Sequence, residues 1–324
     1  MNNKIIYPLI IVLVQILDPF QSVSQQLPLF SQYVFNSIHI NPGYAGYKLD
    51  PFIQVTYRSQ YIDFPGAPKT YSVSADMGSK DERMGFGASI SSDQIGAIRT
   101  NTAMLTYAYR IQTGLESYLG LGISAGVSEY MLDGSLLQPA DDTDATIPSG
   151  RQNMLTPNLN TGLFFHSERF FTGISMYNLV GKRNLDHQDM SLAFHNIHYY
   201  LLVGGLIPLA DQLEFKPFLL VREDQRGPTN FDVNGMLLFY QRLWLGASYR
   251  SHLKTKSNSL QSNLANRNAV AMIVEFFATD QLRIGYAYDY NMNVLYNQRN
   301  NSHEISIGLY LGTRGLEKGI LKCF

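Results

Sequence analysis

The chain has 324 residues, of which only 16% are charged, and its formal net charge is -1 at pH 7. No basic block interrupts that balance, so the composition points away from nucleic acid as a partner. Ordinary soluble domains carry roughly 25% charged residues; this chain, with 21 Tyr and 18 Phe, has too little polar material to cover a water-facing surface.

Residues 1–24 read as a secretory signal peptide. Lys4 supplies the positive start, Ile5 to Leu17 the apolar stretch, and Ser22 with Ser24 the small residues before cleavage, so that the mature chain starts at Gln25. The apolar stretch is shorter than the roughly 20 residues a spanning helix needs. Cys323 is the only cysteine, which rules out a disulfide within the chain.

Residues 25–50 form an N-terminal segment without two-residue alternation. Phe30, Tyr33, Val34 and Ile38 have helical spacing around Ser31, which predicts a short helix stopped by Pro42. Such a segment is expected either to plug the periplasmic end of a barrel or to dock a partner.

From residue 51 to 313 the period is two almost throughout. Near the end, Leu282, Ile284, Tyr286, Tyr288 and Tyr290 alternate with Arg283, Gly285, Ala287, Asp289 and Asn291. Earlier, Leu119, Leu121, Ile123, Ala125 and Val127 alternate with Gly120, Gly122, Ser124, Gly126 and Ser128. One face suits lipid and the other suits water. Extended to the whole chain, the pattern predicts strands at 52–61, 70–79, 84–93, 99–112, 116–132, 157–167, 169–179, 196–209, 212–224, 229–240, 242–252, 267–278, 281–291 and 302–312.

Every second connection is short: Lys80 to Arg83, Thr113 to Leu115, a turn at Glu168, Ala210 with Asp211, a turn at Gln241, and Thr279 with Asp280. Those between are mostly longer, as at Asp133 to Thr156, Val180 to His195, Leu253 to Asn266 and Met292 to Asn301; Gln94 to Ile98 and Gln225 to Pro228 are short exceptions. Outer-membrane barrels sort their loops this way, with short turns in the periplasm and longer loops outside, whereas a soluble all-β sandwich has no reason to. The expected fold is therefore all-β, a transmembrane outer-membrane β-barrel of about 14 antiparallel strands in a Gram-negative cell. A tail at 314–324 follows it.

Few residues suggest chemistry. Gly122, Ser124 and Gly126 match the hydrolase nucleophile elbow formally, but that elbow needs a strand-to-helix turn, and these lie inside an alternating strand. Gly120, Gly122 and Gly126 fail the dinucleotide fingerprint on spacing; as small inward residues they leave room in a lumen. Asp141, Asp142 and Asp144 lack the spacing and glycine of a calcium loop. Asp186, His187, His195 and His198 have no diagnostic zinc spacing. Glu304, Asp289, Arg283, Arg250, Glu275 and Arg110 fall on or near lumen-facing positions, where charges avoid lipid and pair across strands. No catalytic residue, metal or cofactor is expected.

The chain also resembles the PorP/SprF family of outer-membrane proteins of the type IX secretion system. The resemblance is carried by Phe30, Ser31, Gln32, Tyr33, Phe35 and Asn36, by Asn41, Pro42, Tyr44, Ala45 and Gly46, and by Arg58, Gln60, Gly66, Ala67, Pro68 and Thr70. Weaker echoes run through Tyr107 to Arg110, Gly173 to Leu179, Lys216 with Pro217, and Gly285 to Asp289. Leu27 with Pro28, Gly43 and Tyr61 depart from the family's usual residues. The resemblance implies a non-enzymatic component supporting export or surface display of particular cargo, a gliding adhesin among the possibilities. It also implies partners: periplasmic ring components, a peptidoglycan-associated lipoprotein, and cargo carrying a C-terminal secretion domain, besides outer-membrane lipid. The alternative is a passive pore or small-molecule transporter.

Overall fold

Bulky apolar residues alternating with small or polar ones give each extended segment one face for lipid and one for the interior. The computed structural model describes residues 30–62, 64–137, 150–180, 197–224, 229–253, 268–292 and 301–312. Its strands are β1 (Phe52–Ser59), β2 (Lys69–Gly78), β3 (Met84–Ile95), β4 (Ile98–Gln112), β5 (Tyr118–Asp133), β6 (Arg151–His166), β7 (Phe170–Tyr177), β8 (His198–Gly205), β9 (Ile207–Ala210), β10 (Leu213–Asp224), β11 (Thr229–Phe239), β12 (Leu243–Leu253), β13 (Ala269–Phe277), β14 (Leu282–Asn291) and β15 (Ser302–Tyr310). The signal-peptide residues, Gln25, the acidic loop at Asp141 to Asp144, Asp186, His187, His195, Cys323 and the tail lie outside the described residues.

β8 and β9 are one stave interrupted at Leu206, whose N–H turns to the Arg169 carbonyl at 2.9 Å. Every other neighbouring pair runs antiparallel along the chain, β1 pairs with β15, and β10 pairs with β8 and β11, so the sheet closes on itself. This is a closed antiparallel barrel of 14 strands. The expected strands recur to within a few residues, with one correction: β6 begins at Arg151, well before the expected start at 157. Pro157 sits inside this strand, opposite Val127. Proline is tolerated there because backbone groups at odd positions of β6 face the β7 side, as the bond from Leu179 N–H to the Leu159 carbonyl shows. β7 pairs with β6 only from Thr161 onward, so no ladder bond is lost.

Outward residues such as Val55, Val73, Ile90, Leu105, Ile123 and Ile174 are exposed because they face lipid. Their inward neighbours are buried although many are polar, including Gln54, Thr56, Ser72, Ser74, Asn234 and Ser306. Something therefore fills the lumen. Among the described residues no helix is long and apolar enough to cross a membrane, so the crossing is made by strands.

Candidate functional site: the plugged lumen

The filling is the N-terminal segment itself, with Phe30 to Asp50 almost entirely buried inside the barrel. The expected single helix is corrected to three 3-10 turns, η1 (Gln32–Phe35), η2 (Ser37–His39) and η3 (Pro42–Tyr44). Ser31 precedes η1 without capping it, because its hydroxyl donates to Asp289 at 2.8 Å and accepts from Arg58 at 2.8 Å. Pro42 opens η3 instead of ending a helix, with the Asn41 side chain accepting from Gly43 N–H at 2.8 Å. A helix buries one stripe. This segment is surrounded by wall on all sides, so it breaks wherever a wall group offers a better partner.

The N-terminal family-motif residues are the ones that meet the wall. Glu304 accepts from Ser31 N–H at 2.7 Å and from Gln32 N–H at 2.9 Å, and Ser306 donates to the Gln32 amide oxygen at 2.6 Å. Tyr33 donates to Asp232 at 3.4 Å and accepts from Asn234 at 3.0 Å. Asn36 donates to Ser74 at 2.8 Å, while Asn41 donates to the Leu163 carbonyl at 2.8 Å. Phe35 packs near Trp244, and its carbonyl accepts from Arg283. The Gly46 carbonyl accepts from Arg110 at 3.0 Å. Tyr44 packs against Tyr47 and Phe164, and Ala45 is fully buried.

The lumen-facing charges form paired sets. Arg58 binds both Asp289 and Glu304, the latter at 2.9 Å. Arg283 pairs with Glu275 at 3.2 Å, and Arg250 approaches Asp232 at 3.3 Å and Asp289 at 3.7 Å. Sequence periodicity missed Arg222, which pairs with Asp232 at 2.9 Å, and Lys216, which donates to the Val34 carbonyl at 3.0 Å above the Trp244 ring. Their inward parity within β10 was the signal that would have found them. Within the plug, burial draws the Lys48 ammonium below the usual lysine range against the opposing pull of Asp76, 4.0 Å away. Burial and then Lys48 lower His39 to about 4.

Close packing explains the glycines of β5. A Cβ on Gly122 would run into the Pro42 and Gly43 backbone, and one on Gly120 into the Gly43 carbonyl. Ser124 lies mid-strand with its hydroxyl 2.6 Å from that of Thr106. Ser124→Ala should therefore cost about 1 kcal/mol of barrel stability, measured by urea unfolding in lipid vesicles, and leave the amount of heat-modifiable barrel in the membrane unchanged. A loss of several kcal/mol would show that the hydroxyl does more than bond Thr106. His198 approaches Asp224 at 3.9 Å, and among the described residues no group of three His, Cys, Asp or Glu is placed to hold a metal.

Of the remaining motif residues only Arg58 meets the plug, through Ser31; the others lie apart, at the opposite end from the short turns. Arg58 reaches into the lumen, Thr70 donates to Asp93 at 2.6 Å, and Gln60, Gly66, Ala67 and Pro68 shape the β1–β2 connection. Gln60 N–H donates to the Pro68 carbonyl at 2.9 Å.

A closed barrel with a lipid-facing apolar band, short turns at one end, and a lumen occupied by its own N-terminal segment is an outer-membrane protein. The chain belongs to the family described as type IX secretion system membrane protein PorP/SprF, whose model matches residues 22–309. It is thus a membrane component of that secretion system. No curated protein matches the chain. Among solved structures it is similar to the toluene transporter TbuX of Ralstonia pickettii, at 8% identity over 85% of this chain and 93% of that one, with a TM-score of 0.49. It is also similar to a FadL homologue of Pseudomonas aeruginosa, at 11% identity over 90% and 96%, with a TM-score of 0.48. The outer membrane protein Omp33 of Acinetobacter baumannii matches at 9% identity over 82% and 100%, with a TM-score of 0.44.

Proposed function

We propose that this protein is a sealed, non-enzymatic barrel supporting export or surface display of particular cargo proteins, a gliding adhesin or similar, and not a solute pore. The observation that carries this reading is the buried segment Phe30 to Asp50, which occupies the lumen a solute would need. Leaving would return Val34, Phe35, Ile38 and Ile40 to water at about 1.5–3 kcal/mol each, and would strip Glu304 of two backbone donors.

On this reading residues 1–24 are the removed signal and the N-terminal motif is a structural plug more than a docking segment. With Ser31, Gln32, Tyr33 and Asn36 inside the lumen and bonded to the wall, the surfaces left for partners are the periplasmic turns and the outer connections. The proposed partners are the periplasmic ring of the secretion machine, a peptidoglycan-associated lipoprotein and cargo with a C-terminal secretion domain.

Deleting the gene and comparing secreted and surface-displayed proteins with small-solute uptake tests the proposal. Loss of specific cargo at unchanged uptake is the expected result. Reduced uptake with intact cargo would establish the pore instead.

A further inference from the structure

The strand registers place outward side chains in rows around the wall. Val55, Val73, Ile90 and Ala103 form an apolar row across β1 to β4. Two residues nearer the outer rim, about 7 Å further along the strands, the row is Tyr57, Tyr71, Ser92 and Asn101. The next row is Ser59, Lys69, Gln94 and Arg99, with His303 beyond Ser59. A wall facing hydrocarbon thus becomes aromatic and then cationic within two steps. Lysine and arginine on the lipid face of a barrel are costly at mid-membrane and nearly neutral at the interface, so this row lies at headgroup level. The row contains two cations and no carboxylate; Glu129, one row lower, accepts from Asn101 at 3.0 Å.

A roof stands over that row. The β1–β2 connection folds across it, with Gly96 N–H donating to the Gly66 carbonyl at 2.9 Å, which ties it to the β3–β4 turn. Gly66 has a φ of 73°, and a Cβ there would come within 3.3 Å of the Gly96 backbone, so only glycine fits without strain. Between wall and roof lies a cleft of about 570 Å³, bounded by Tyr57, Lys69 and Gln94 below and Gln60, Phe64 and Gly66 above. Gln94 accepts from Arg99 at 2.6 Å, which holds the guanidinium at the cleft's edge.

We propose that this cleft binds the phosphorylated glycolipid of the outer leaflet, with a phosphate monoester held between Lys69 and Arg99. The sugar rests on the Tyr57 ring in the cleft wall, which Tyr71 backs from outside the cleft at 4.8 Å. A phosphate dianion matches two cations at one level of the wall, and the apolar rows below receive the acyl chains. This assigns the Gln60, Gly66, Ala67 and Pro68 motif to lipid recognition, independently of the secretion reading.

The test uses native mass spectrometry of the purified full-length protein in detergent with bisphosphorylated lipid A, the same lipid dephosphorylated, and inorganic phosphate. Wild type is expected to retain bisphosphorylated lipid A one to one and to bind the dephosphorylated lipid about tenfold more weakly or worse. The K69Q/R99Q double variant should show a similar loss while still migrating as a heat-modifiable barrel, and K80Q in a periplasmic turn should bind as wild type does. Equal binding of dephosphorylated lipid, or undiminished binding by the folded double variant, overturns the proposal. Displacement of the lipid by equimolar inorganic phosphate would overturn the lipid assignment in favour of a free-anion site. Because the phosphate dependence is read on wild type, a double variant that misfolds leaves the test intact.

Discussion

Deleting residues 30–46 opens the barrel: planar bilayers that stay silent with wild type show stable conductance with the deletion variant. The wall does not depend on the plug for its ladder, since each stave pairs with its neighbours on both sides of the ring. Fourteen strands enclose more space than the eight that side chains alone can fill. With the plug gone, water reaches Arg58, Glu304, Asp232 and Arg250, which keep one another as partners. Gly122→Leu should act in the same direction without removing any chain, because its side chain occupies the place of the Pro42–Gly43 backbone. Boiled and unboiled samples of both variants should still migrate differently. A heat-modifiable deletion variant that remains non-conducting would mean that something other than this segment closes the lumen.

Glu304→Ala should destabilise the protein by about 3–5 kcal/mol, the range for removing one partner of a buried ion pair. Glu304 is fully buried and serves three donors at once: Arg58 at 2.9 Å, Ser31 N–H at 2.7 Å and Gln32 N–H at 2.9 Å. Alanine leaves Arg58 with Asp289 and the Ser31 hydroxyl and orphans two backbone donors, each worth about 1–3 kcal/mol when buried without a partner. Glu304→Gln retains an acceptor and should lose less. Urea midpoints in vesicles, with protease sensitivity of the N-terminal segment, separate the two variants. If alanine shifts the midpoint no more than Ser124→Ala does, the plug is not anchored at this carboxylate.

The wall was legible because lipid and lumen impose opposite demands on adjacent residues, and that demand is local. The parity of Leu282 to Asn291 shows which side chains face lipid without knowledge of any other strand, and the observed β14 follows it. β6 runs back past Pro157 to Arg151 because the missing N–H of the proline faces no paired strand, which depends on where β7 ends and not on the local pattern. The plug was legible only as a break in the period. Its helical spacing at Phe30, Tyr33, Val34 and Ile38 described apolar content, while its conformation depends on wall groups far away in the chain.

What the sequence determined by itself was the alternation, the sorting of short and long connections, and hence a membrane barrel with charges turned inward. Which inward charges meet the plug and one another across β1 and β15 was decided only by closure of the sheet. Ser31 and Glu304 are 273 residues apart and become neighbours because β15 closes onto β1 beside Arg58. The outer cleft has the same origin: Lys69, Gln94 and Arg99 are unremarked polar residues on three strands until the register aligns them in one row. Pleating is a property of each strand alone, whereas register and the path of the plug are properties of the closed ring.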